Sequence, residues 1–406
     1  MRKLFGNRDT RVYLLGQSCS LFGDTAMWLA LGIWVKELTH SNAAAGLTFF
    51  FYAFASLLSP LAGMLVDRVR RRPTLIVVNF VSAAGVLVLL LVHAAADVWI
   101  IYLVMFLYGL AGNVIGSAQS AFLTLLVPSE LLGDANAFLR TVREGLRLVA
   151  PLVGAGLFVV VGGHWIAVID SATFVVAGLS LLVLHLREPK PERVPQRFFE
   201  ELIGGFRHVA GTPVLRRMVI ALAVACCVIG FSETAIFAVV GSELHRPPSF
   251  IGVLMAVQGV GALIGGPLSG PAMRRTGERF LSAIGLFVAA LGAGMLVTGS
   301  LTLVLLGMLL FGVSLPPILV GAYTLMQRRT PEELQGRTFS AFDLIASLPQ
   351  TISIGLGAAV ITVVGYEAEL TLMALVIALS GVILLFPVDG EPNFGVLVEL
   401  PATEPG

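Results

Sequence analysis

The chain has few charged residues, few cysteines and no recognisable metal or nucleotide motif, and each shortage excludes a class of protein. Charged residues make up 13% of the 406 residues and apolar residues 57%, a balance that excludes a single water-soluble core. The three cysteines all lie in apolar runs, so no disulfide framework is expected. Without an H-E-x-x-H, C-x-x-C or phosphate-loop motif, we expect no cofactor, no bound metal and no enzymatic activity.

What the chain has instead is long apolar runs. Twelve of them approach or exceed the roughly 20 residues that a helix needs to cross a bilayer. We number them as spans 1 to 12: 11–36, 44–66, 74–93, 98–127, 138–161, 164–186, 214–242, 249–273, 280–298, 302–326, 338–362 and 366–387. The pattern predicts an all-α polytopic membrane protein that needs the lipid bilayer as its solvent.

The basic residues are distributed unevenly among the loops. If the N-terminal tail is cytoplasmic, 24 of the 26 lysines and arginines fall on the same side, and only Lys36 and Arg246 remain on the other. Cytoplasmic loops carry the excess of basic residues in membrane proteins, so we predict twelve transmembrane helices with both termini cytoplasmic. The basic residues form short loops rather than a continuous patch, which argues against nucleic-acid binding.

The longest polar interruption divides the spans six and six. We predict four regions: an N-terminal six-helix half at 1–187, a cytoplasmic linker with a short amphipathic helix at 188–213, a C-terminal six-helix half at 214–387 and a cytoplasmic tail at 388–406. The motif P-x-E-L-x-G at 128–133 recurs 203 residues later, and P-L-x-G at 60–63 recurs 207 residues later. Parallel six-helix repeats are typical of secondary transporters, whose binding site lies between the halves.

One loop carries a family resemblance. The run Gly63-Met-Leu-Val-Asp67-Arg68-Val-Arg70-Arg71-Arg72 resembles the major facilitator superfamily signature G-x-L-a-D-R-x-G-r-k, with Arg70 where the second glycine is usual. The resemblance implies a major facilitator fold in which this loop latches the cytoplasmic side against the start of span 11. The implied gate residues are Gly63, Asp67, Arg68, Arg71, Arg140, Arg143 and Asp343. A plain loop obeying the positive-inside rule is the alternative.

The chain is also similar to the twelve-helix drug/proton antiporter branch, of the macrolide-efflux and siderophore-exporter type. The P-x-E-L-x-G turns carry this similarity, and so does span 5, where Pro151 and Gly154 remain from a motif ending in G-P-x-x-G-G and serve helix packing. Many proton-coupled exporters have an arginine in span 4 where this chain has Tyr108. The resemblance implies a monomeric, proton-coupled exporter of amphiphilic or hydrophobic molecules in a bacterial inner or plasma membrane.

Ionisable side chains inside predicted spans are candidate functional groups, because each costs about 2.5–3.5 kcal/mol at a helix centre. Asp24 in span 1 and Glu233 in span 7 lie at comparable depths in equivalent spans. We interpret both as proton-coupling or substrate residues, with structural ion pairs as the alternative. The deepest basic residue is Arg147, which shares one face of span 5 with Arg140, Arg143 and Glu144. It is expected to pair with Glu144, with Asp24 or with an anionic substrate.

Spans 1, 4, 7 and 10 line the cavity in the family. The implied cavity residues are Phe22, Met27, Trp28, Tyr108, Asn113, Gln119, Phe231, Tyr323 and Gln327. Asp170 in span 6, a peripheral helix in the family, is interpreted as structural. Two other functions stay open: a transporter of a lysophospholipid, a siderophore or a polar nutrient, with or without proton coupling, and a receptor or assembly partner that transports nothing.

Overall fold

The computed structural model of this protein is helical throughout the residues that it describes, which are 2–66, 68–186, 188 and 198–386. Asp67 of the predicted gate, most of the linker before residue 198 and the predicted tail at 388–406 lie outside the described residues. In the described part of the chain, ten helices are long and apolar enough to cross a membrane. The prediction of an all-α, multi-pass membrane protein is therefore confirmed.

The helices follow the predicted spans closely. In residues 2–186, which we call the N-terminal half, a short helix Arg2–Gly6 precedes these elements: Arg8–Thr39 (span 1), Asn42–Ser56 and Ser59–Val66 (span 2), Arg71–Leu87 (span 3), Val98–Leu126 (span 4) and Leu132–Leu182 (spans 5 and 6). In residues 198–386, the C-terminal half, a helix Phe198–Gly211 comes before Pro213–Ile229 and Ser232–Ala238 (span 7), Ile251–Thr276 (span 8), Glu278–Met295 (span 9), Leu301–Arg329 (span 10), Gln335–Val364 (span 11) and Tyr366–Leu385 (span 12).

Two places account for the difference between twelve predicted runs and ten candidate membrane helices. Span 2 is interrupted after Ser56, where the Asn113 side chain of span 4 donates a hydrogen bond to the carbonyl oxygen of Ala55 at 2.9 Å. Spans 5 and 6 run together in Leu132–Leu182, but Gly162 within it has φ 79° and ψ 169°. Glycine adopts a positive φ without steric strain, so Gly162 separates two helices inside this segment.

Equivalent turns of the two sequence repeats have the same backbone geometry. Gly365, 203 residues after Gly162, has φ 82° and ψ 161° between spans 11 and 12. Pro128 and Pro331, also 203 residues apart, have φ and ψ of −53° and 147°, and −54° and 148°. Each proline is followed by one short 3₁₀ turn. The sequence repeat is thus a repeat of backbone structure.

In each repeat, an arginine at the start of the third helix donates hydrogen bonds to backbone carbonyl oxygens at the end of the sixth helix. Arg72 donates to the carbonyl oxygens of Leu181, Leu186 and Leu182 at 3.0, 3.1 and 3.2 Å. Its counterpart 207 residues later, Arg279, donates to the carbonyl oxygen of Phe386 at 3.1 Å. These bonds satisfy carbonyls that a helix C-terminus leaves without intrahelical partners.

The arginine that replaces the usual glycine in the loop after span 2 has a structural explanation. Arg70 has φ −70° and ψ 127°, a conformation that any residue adopts. Its counterpart in the second repeat, Gly277, has φ 82° and ψ 167°. Only the second loop needs glycine, so the arginine at position 70 is accommodated without strain.

Span 1 packs closely against spans 5 and 6 through glycines. A side chain added at Gly23 would collide with Asp170 and Thr173, and one added at Gly154 would meet the backbone of Ala26. Close approach of this kind is how helices associate inside a membrane, where no hydrophobic force drives them together. The glycines therefore bring the acidic side chains of spans 1 and 6 within reach of each other.

The two halves meet at one end of the molecule. We call the end that carries Arg70, Arg140, Arg274 and Arg328 the arginine-rich end, and the opposite one the Lys36 end. Contacts between the halves gather near the Lys36 end. They join Gly46 to Thr234, Phe50 to Gly355, Gly252 to Ala155 and Pro151, and the Thr351 hydroxyl to the carbonyl oxygen of Ala53 at 3.5 Å.

The arginine-rich end is open by contrast. Arg140, Arg143 and Gln327 are exposed, as is Asp343 at the start of span 11. Gly63 has open space where a side chain would project. The structure therefore has a space between the halves that is closed at the Lys36 end and accessible from the arginine-rich end.

Arg72→Ala should lower the free energy of unfolding by about 1–3 kcal/mol, because it removes the hydrogen bonds to the end of span 6. Thermal or denaturant unfolding of the detergent-purified protein measures the change. Arg70→Ala removes the same charge from an exposed neighbour and is the matched control. Equal stabilities of the two variants would show that the capping bonds contribute nothing.

Gly252→Val should force spans 5 and 8 apart at the Lys36 end, because its added Cβ would lie 2.7 Å from the Ala155 Cβ. The readout is thiol labelling of a single cysteine placed at Ala45, which is fully buried beside Gly46, in a chain whose native cysteines are replaced. Labelling should rise severalfold. Gly266→Val on the same helix, where no atom lies within 4 Å of the added Cβ, should leave it unchanged. Equal labelling in both variants would refute closure at this contact.

Candidate functional site

Aromatic side chains close the space between the halves toward the Lys36 end. The rings of Trp28 and Phe49 have centroids 4.4 Å apart, and Phe49 lies 6.2 Å from Phe237 of the C-terminal half. Phe49 and Phe237 are buried. Below this aromatic layer, toward the arginine-rich end, the space is lined by the ionisable side chains described next. We call it the central cavity.

Two carboxylates of the N-terminal half meet at one phenol. The Tyr108 hydroxyl oxygen lies 2.8 Å from Oδ1 of Asp24 and 3.2 Å from Oδ2 of Asp170. Tyr108 and Asp170 are buried, with 8% and 1% of their surface exposed, whereas Asp24 is partly exposed. Asp24 thus forms the side of this cluster that is accessible from the cavity, and Asp170 the enclosed side.

The ring of Tyr108 is held in place from two sides. It packs edge-on against Phe174 of span 6 with centroids 5.7 Å apart, and it lies 6.5 Å from the ring of Tyr52 in span 2. Thr173 lies beside Asp170, but its hydroxyl donates to the Asp170 carbonyl oxygen at 2.8 Å. Four spans therefore converge on the Asp24, Tyr108 and Asp170 cluster.

Glu233 of the C-terminal half lies within reach of the charge of Arg147 of the N-terminal half. Glu233 is partly exposed in the first turn of helix Ser232–Ala238, and the charge of Arg147 in span 5 acts on it through space. Arg147 is exposed, and among the described residues no carboxylate lies within ion-pair distance of it. In this conformation the charge of Arg147 acts on Glu233, and its pairing with Glu144, with Asp24 or with an anionic substrate stays a prediction.

The charges of the other two arginines on this face of span 5 act on different neighbours. The charge of Arg143 acts on Tyr52 of span 2, and that of Arg140 acts on Tyr323 of span 10. The Tyr323 hydroxyl in turn donates to Oδ1 of Asp343 at 3.4 Å. One face of span 5 therefore places a row of three positive charges along the cavity.

The remaining predicted cavity residues are not equally accessible. Trp28 and Phe22 are partly exposed, and Tyr323 and Gln327 are exposed toward the arginine-rich end. Met27, Gln119 and Phe231 are buried, with 1%, 6% and 6% exposure, and Asn113 holds the break in span 2. A buried residue contacts no cargo in this conformation, so in this state the lining comes mainly from spans 1, 5, 7 and 10.

The predicted packing residues of span 5 lie where span 5 contacts its neighbours. Gly154 adjoins the backbone of Ala26, and the carbonyl oxygen of Pro151 lies 3.2 Å from where a side chain at Gly252 would begin. The motif remnant therefore coincides with the contact between spans 1, 5 and 8.

Among the predicted gate residues, Arg71 forms a hydrogen bond with a residue outside the loop at 63–72, which carries the family signature. Its backbone NH donates to Oε1 of Glu188 at 2.6 Å, and the NH of Arg72 donates to Oε2 at 3.0 Å. An acidic side chain on the first NH groups of a helix compensates the positive end of its dipole. Arg68 is exposed.

Two buried carboxylates were not singled out as functional by sequence reasoning. Asp170 lies on a helix considered peripheral, and Glu369 lies near the start of span 12, where acidic residues are common at membrane edges. Glu369 is fully buried, and its oxygens have no hydrogen-bond partner among the described residues. Its position in the first turn of a span gave no signal of this burial, whereas Asp170 lies well inside an apolar run, which is such a signal.

A double-mutant cycle tests the electrostatic coupling between Arg147 and Glu233. Arg147→Ala and Glu233→Gln should be non-additive in their effect on unfolding free energy by about 0.5 kcal/mol or more, because each variant removes the same interaction. The corresponding cycle of Arg143→Ala with Glu233→Gln should be additive. Additivity in both cycles would show that Arg147 and Glu233 are not energetically coupled.

Comparison with known proteins places this architecture in a family. The profile of the Major Facilitator Superfamily matches residues 13–240 and 222–396. Macrolide efflux protein A of Streptococcus pyogenes is 23% identical over 368 residues, which cover 87% of this chain and 90% of that protein. Enterobactin exporter EntS of Escherichia coli O1:K1 is 26% identical over 335 residues, which cover 80% of this chain and 79% of that protein.

Solved structures show the same fold. A bacterial homologue of the iron transporter ferroportin, in its inward-facing state, has a TM-score of 0.73 and 18% identity, covering 93% of this chain and 98% of that one. The nucleoside transporter NupG has a TM-score of 0.70 and 14% identity, covering 92% and 98%. The chain therefore belongs to the Major Facilitator Superfamily, whose members are transporters of small molecules in membranes.

Proposed function

We propose that this protein exports amphiphilic or hydrophobic small molecules by proton-coupled antiport with alternating access. The observation that carries the proposal is Asp24: a carboxylate in the wall of a cavity between two halves, with access from one end only. A carboxylate inside a membrane-spanning bundle is costly when charged, so it binds and releases a proton as its surroundings change.

The topology that we propose has twelve spans, with the arginine-rich end in the cytoplasm of a bacterial cell. The divided span 2 and the segment on either side of Gly162 supply the two spans beyond the ten candidate helices. The halves are 1–187 and 214–387, joined by a cytoplasmic linker at 188–213 and followed by a cytoplasmic tail. With this orientation the structure represents an inward-open state, from which cargo enters out of the cytoplasm.

The relatives support export as the direction. By their names, macrolide efflux protein A and enterobactin exporter EntS both move compounds out of the cell, and each covers about four fifths or more of this chain. Partly exposed aromatic side chains in the cavity wall, such as Phe22 and Trp28, suit amphiphilic cargo that lacks a fixed pattern of hydrogen bonds.

The proposed cycle follows from the two carboxylates in the cavity. In the inward-open state Asp24 and Glu233 release a proton to the cytoplasm, and cargo occupies the cavity. The halves then rock about the site so that the Lys36 end opens. From that side a proton returns to the carboxylates and the cargo leaves. The gradient drives the cycle because protonation and cargo binding exclude each other.

The loop after span 2 is the proposed cytoplasmic gate. In the inward-open structure Gly63 has free space around it, and Asp343 is exposed at the facing end of span 11. We infer that Asp67, Arg68 and Arg71 approach the start of span 11, with Arg140 and Arg143 nearby, when this end closes. Opposite charges at helix ends stabilise such a closed contact and separate again when it opens.

A second candidate cargo is a specific physiological anion, such as a siderophore or a lysophospholipid. Arg140, Arg143 and Arg147 are exposed along one face of the cavity, and this row of charges favours a cargo with an anionic group. Uptake of labelled enterobactin and of labelled erythromycin into inverted vesicles distinguishes the two candidates. Competition by an excess of the other compound shows whether one cavity serves both.

Asp24→Asn and Glu233→Gln should each reduce accumulation driven by a pH gradient at least tenfold while leaving exchange of erythromycin measurable. A neutral side chain still permits the halves to rock but cannot carry a proton. Proteoliposomes with an imposed pH gradient measure both activities. Glu130→Gln, which neutralises an exposed carboxylate of the turn after span 4, is the matched control.

Unchanged uphill transport in both variants would contradict proton coupling through these residues. If the unaltered protein transports neither erythromycin nor enterobactin in proteoliposomes, export of macrolide-like and siderophore-like compounds is refuted.

A further inference from the structure

The hydrogen bonds at Tyr108 indicate that Asp170 is a second proton-coupling residue beside Asp24. The phenol has one hydrogen to donate, yet its oxygen lies within hydrogen-bond distance of carboxylate oxygens of both Asp24 and Asp170. If both carboxylates were ionised, one of the two contacts would bring an oxygen lone pair against a negative oxygen with no hydrogen between them. The geometry therefore requires one further proton within the cluster.

Within the described part of the chain, Asp170 has no other donor of comparable strength to stabilise a negative charge. Thr173 is 3.4 Å from its Oδ1, but the single hydroxyl hydrogen of Thr173 is used at 2.8 Å on the Asp170 carbonyl oxygen. Asp170 is also almost fully enclosed, with 1% of its surface exposed. An enclosed carboxylate without such a donor is far more stable when protonated, because water is not available to solvate the charge.

We propose that Asp24, Tyr108 and Asp170 form one proton-binding unit in which Asp170 stores the proton that Asp24 exchanges with the central cavity. This inference rests on the proposed proton coupling and extends it to Asp170. The division of roles follows from exposure: Asp24 borders the cavity, and Asp170 lies behind Tyr108.

The transfer between the two carboxylates balances through the phenol. The protonated Asp170 gives its proton to the Tyr108 oxygen, the Tyr108 hydroxyl gives its own hydrogen to Asp24, and the phenol is restored. Asp170 is then ionised and Asp24 neutral, so the net charge of the cluster is unchanged. Release of the proton from Asp24 to the cavity makes the cluster more negative by one charge, and a proton from the cavity reverses this.

Few charged groups face the cluster from the neighbouring helices. Tyr52 of span 2 faces Tyr108, and Arg143 of span 5 acts on Tyr52. Ser171, next to Asp170, bonds the Ala83 carbonyl oxygen of span 3 and leaves the carboxylate unaffected. Among the described residues, the side chains that act on the two carboxylates are Tyr108, Thr173 and the carboxylates themselves.

Transport assays test the unit with variants that differ by single atoms or groups. Tyr108→Phe removes the bridging hydroxyl and keeps the ring, and Asp170→Asn removes the stored proton. Both should reduce erythromycin accumulation driven by a pH gradient at least tenfold, abolish its pH dependence and preserve exchange. The matched control is Tyr102→Phe on the same helix, which removes a hydroxyl that donates to the Ala44 carbonyl oxygen at 3.0 Å. It should behave as the unaltered protein.

A second measurement does not depend on transport. Infrared spectra of the purified protein in H₂O and D₂O should contain the carbonyl band of protonated carboxylic acids, with one component that is lost in Asp170→Asn and kept in Tyr102→Phe. Absorption from the buried Glu369 should remain in both variants. This measurement also covers the case in which Asp170→Asn transports nothing for lack of stability, and Asp170→Glu should then restore both the band and uphill transport.

The outcomes separate this inference from the function on which it rests. If Tyr108→Phe and Asp170→Asn behave as Tyr102→Phe while Asp24→Asn loses uphill transport, proton-coupled export stands and the three-residue unit is refuted. If Asp24→Asn also keeps uphill transport, the coupling at Asp24 itself is refuted. An infrared spectrum that is the same in the unaltered protein and in Asp170→Asn overturns the storage role of Asp170.

Discussion

The constraint on which this structure depends is the free-energy cost of a charged carboxylate inside a membrane-spanning helical bundle. Asp24, Asp170 and Glu233 lie within apolar helices, where each must be protonated, hydrogen-bonded or opposed by a positive charge. The chain meets this constraint differently in its two halves. In the N-terminal half two carboxylates share the phenol of Tyr108, and in the C-terminal half Glu233 is opposed by Arg147 from across the cavity.

Close packing of span 1 against span 6 allows Asp24 and Asp170 to share Tyr108. Packing between the two halves limits access to these carboxylates. Without a side chain at Gly23, span 1 approaches span 6 closely enough for Asp24 and Asp170 to share a neighbour. Gly252 performs the corresponding role between spans 5 and 8, where the halves meet. Because the halves touch near the Lys36 end, the carboxylates communicate with the arginine-rich end alone. In the proposed cycle this contact opens and the loop after span 2 closes. Under that proposal the small residues at both contacts affect transport without touching the cargo.

Much of the fold follows from the sequence, because lipid allows few alternatives to apolar helices. The helix pattern, the repeat at offsets of 203 and 207 residues and the depth of Asp24 are all visible in it. The break after Ser56 was not visible, because both pieces are equally apolar. The link from Asp24 to Asp170 was also missed, since it depends on the rotation of span 6 about its axis, which periodicity alone does not determine. The electrostatic influence of Arg147 on Glu233 was missed for the same reason: sequence spacing predicts neighbours on one helix, whereas proximity between helices depends on packing.

Proton release on cargo binding is the decisive measurement, because in the proposed cycle protonation of the cavity carboxylates and cargo binding exclude each other. Erythromycin and enterobactin would each be added to the detergent-purified protein in weakly buffered solution containing a pH indicator dye. At least one compound should release protons with a saturable dependence on its concentration, and Asp24→Asn should sharply reduce the release. Saturable binding with no proton released, in the unaltered protein across the pH range of transport, would contradict the proposed cycle.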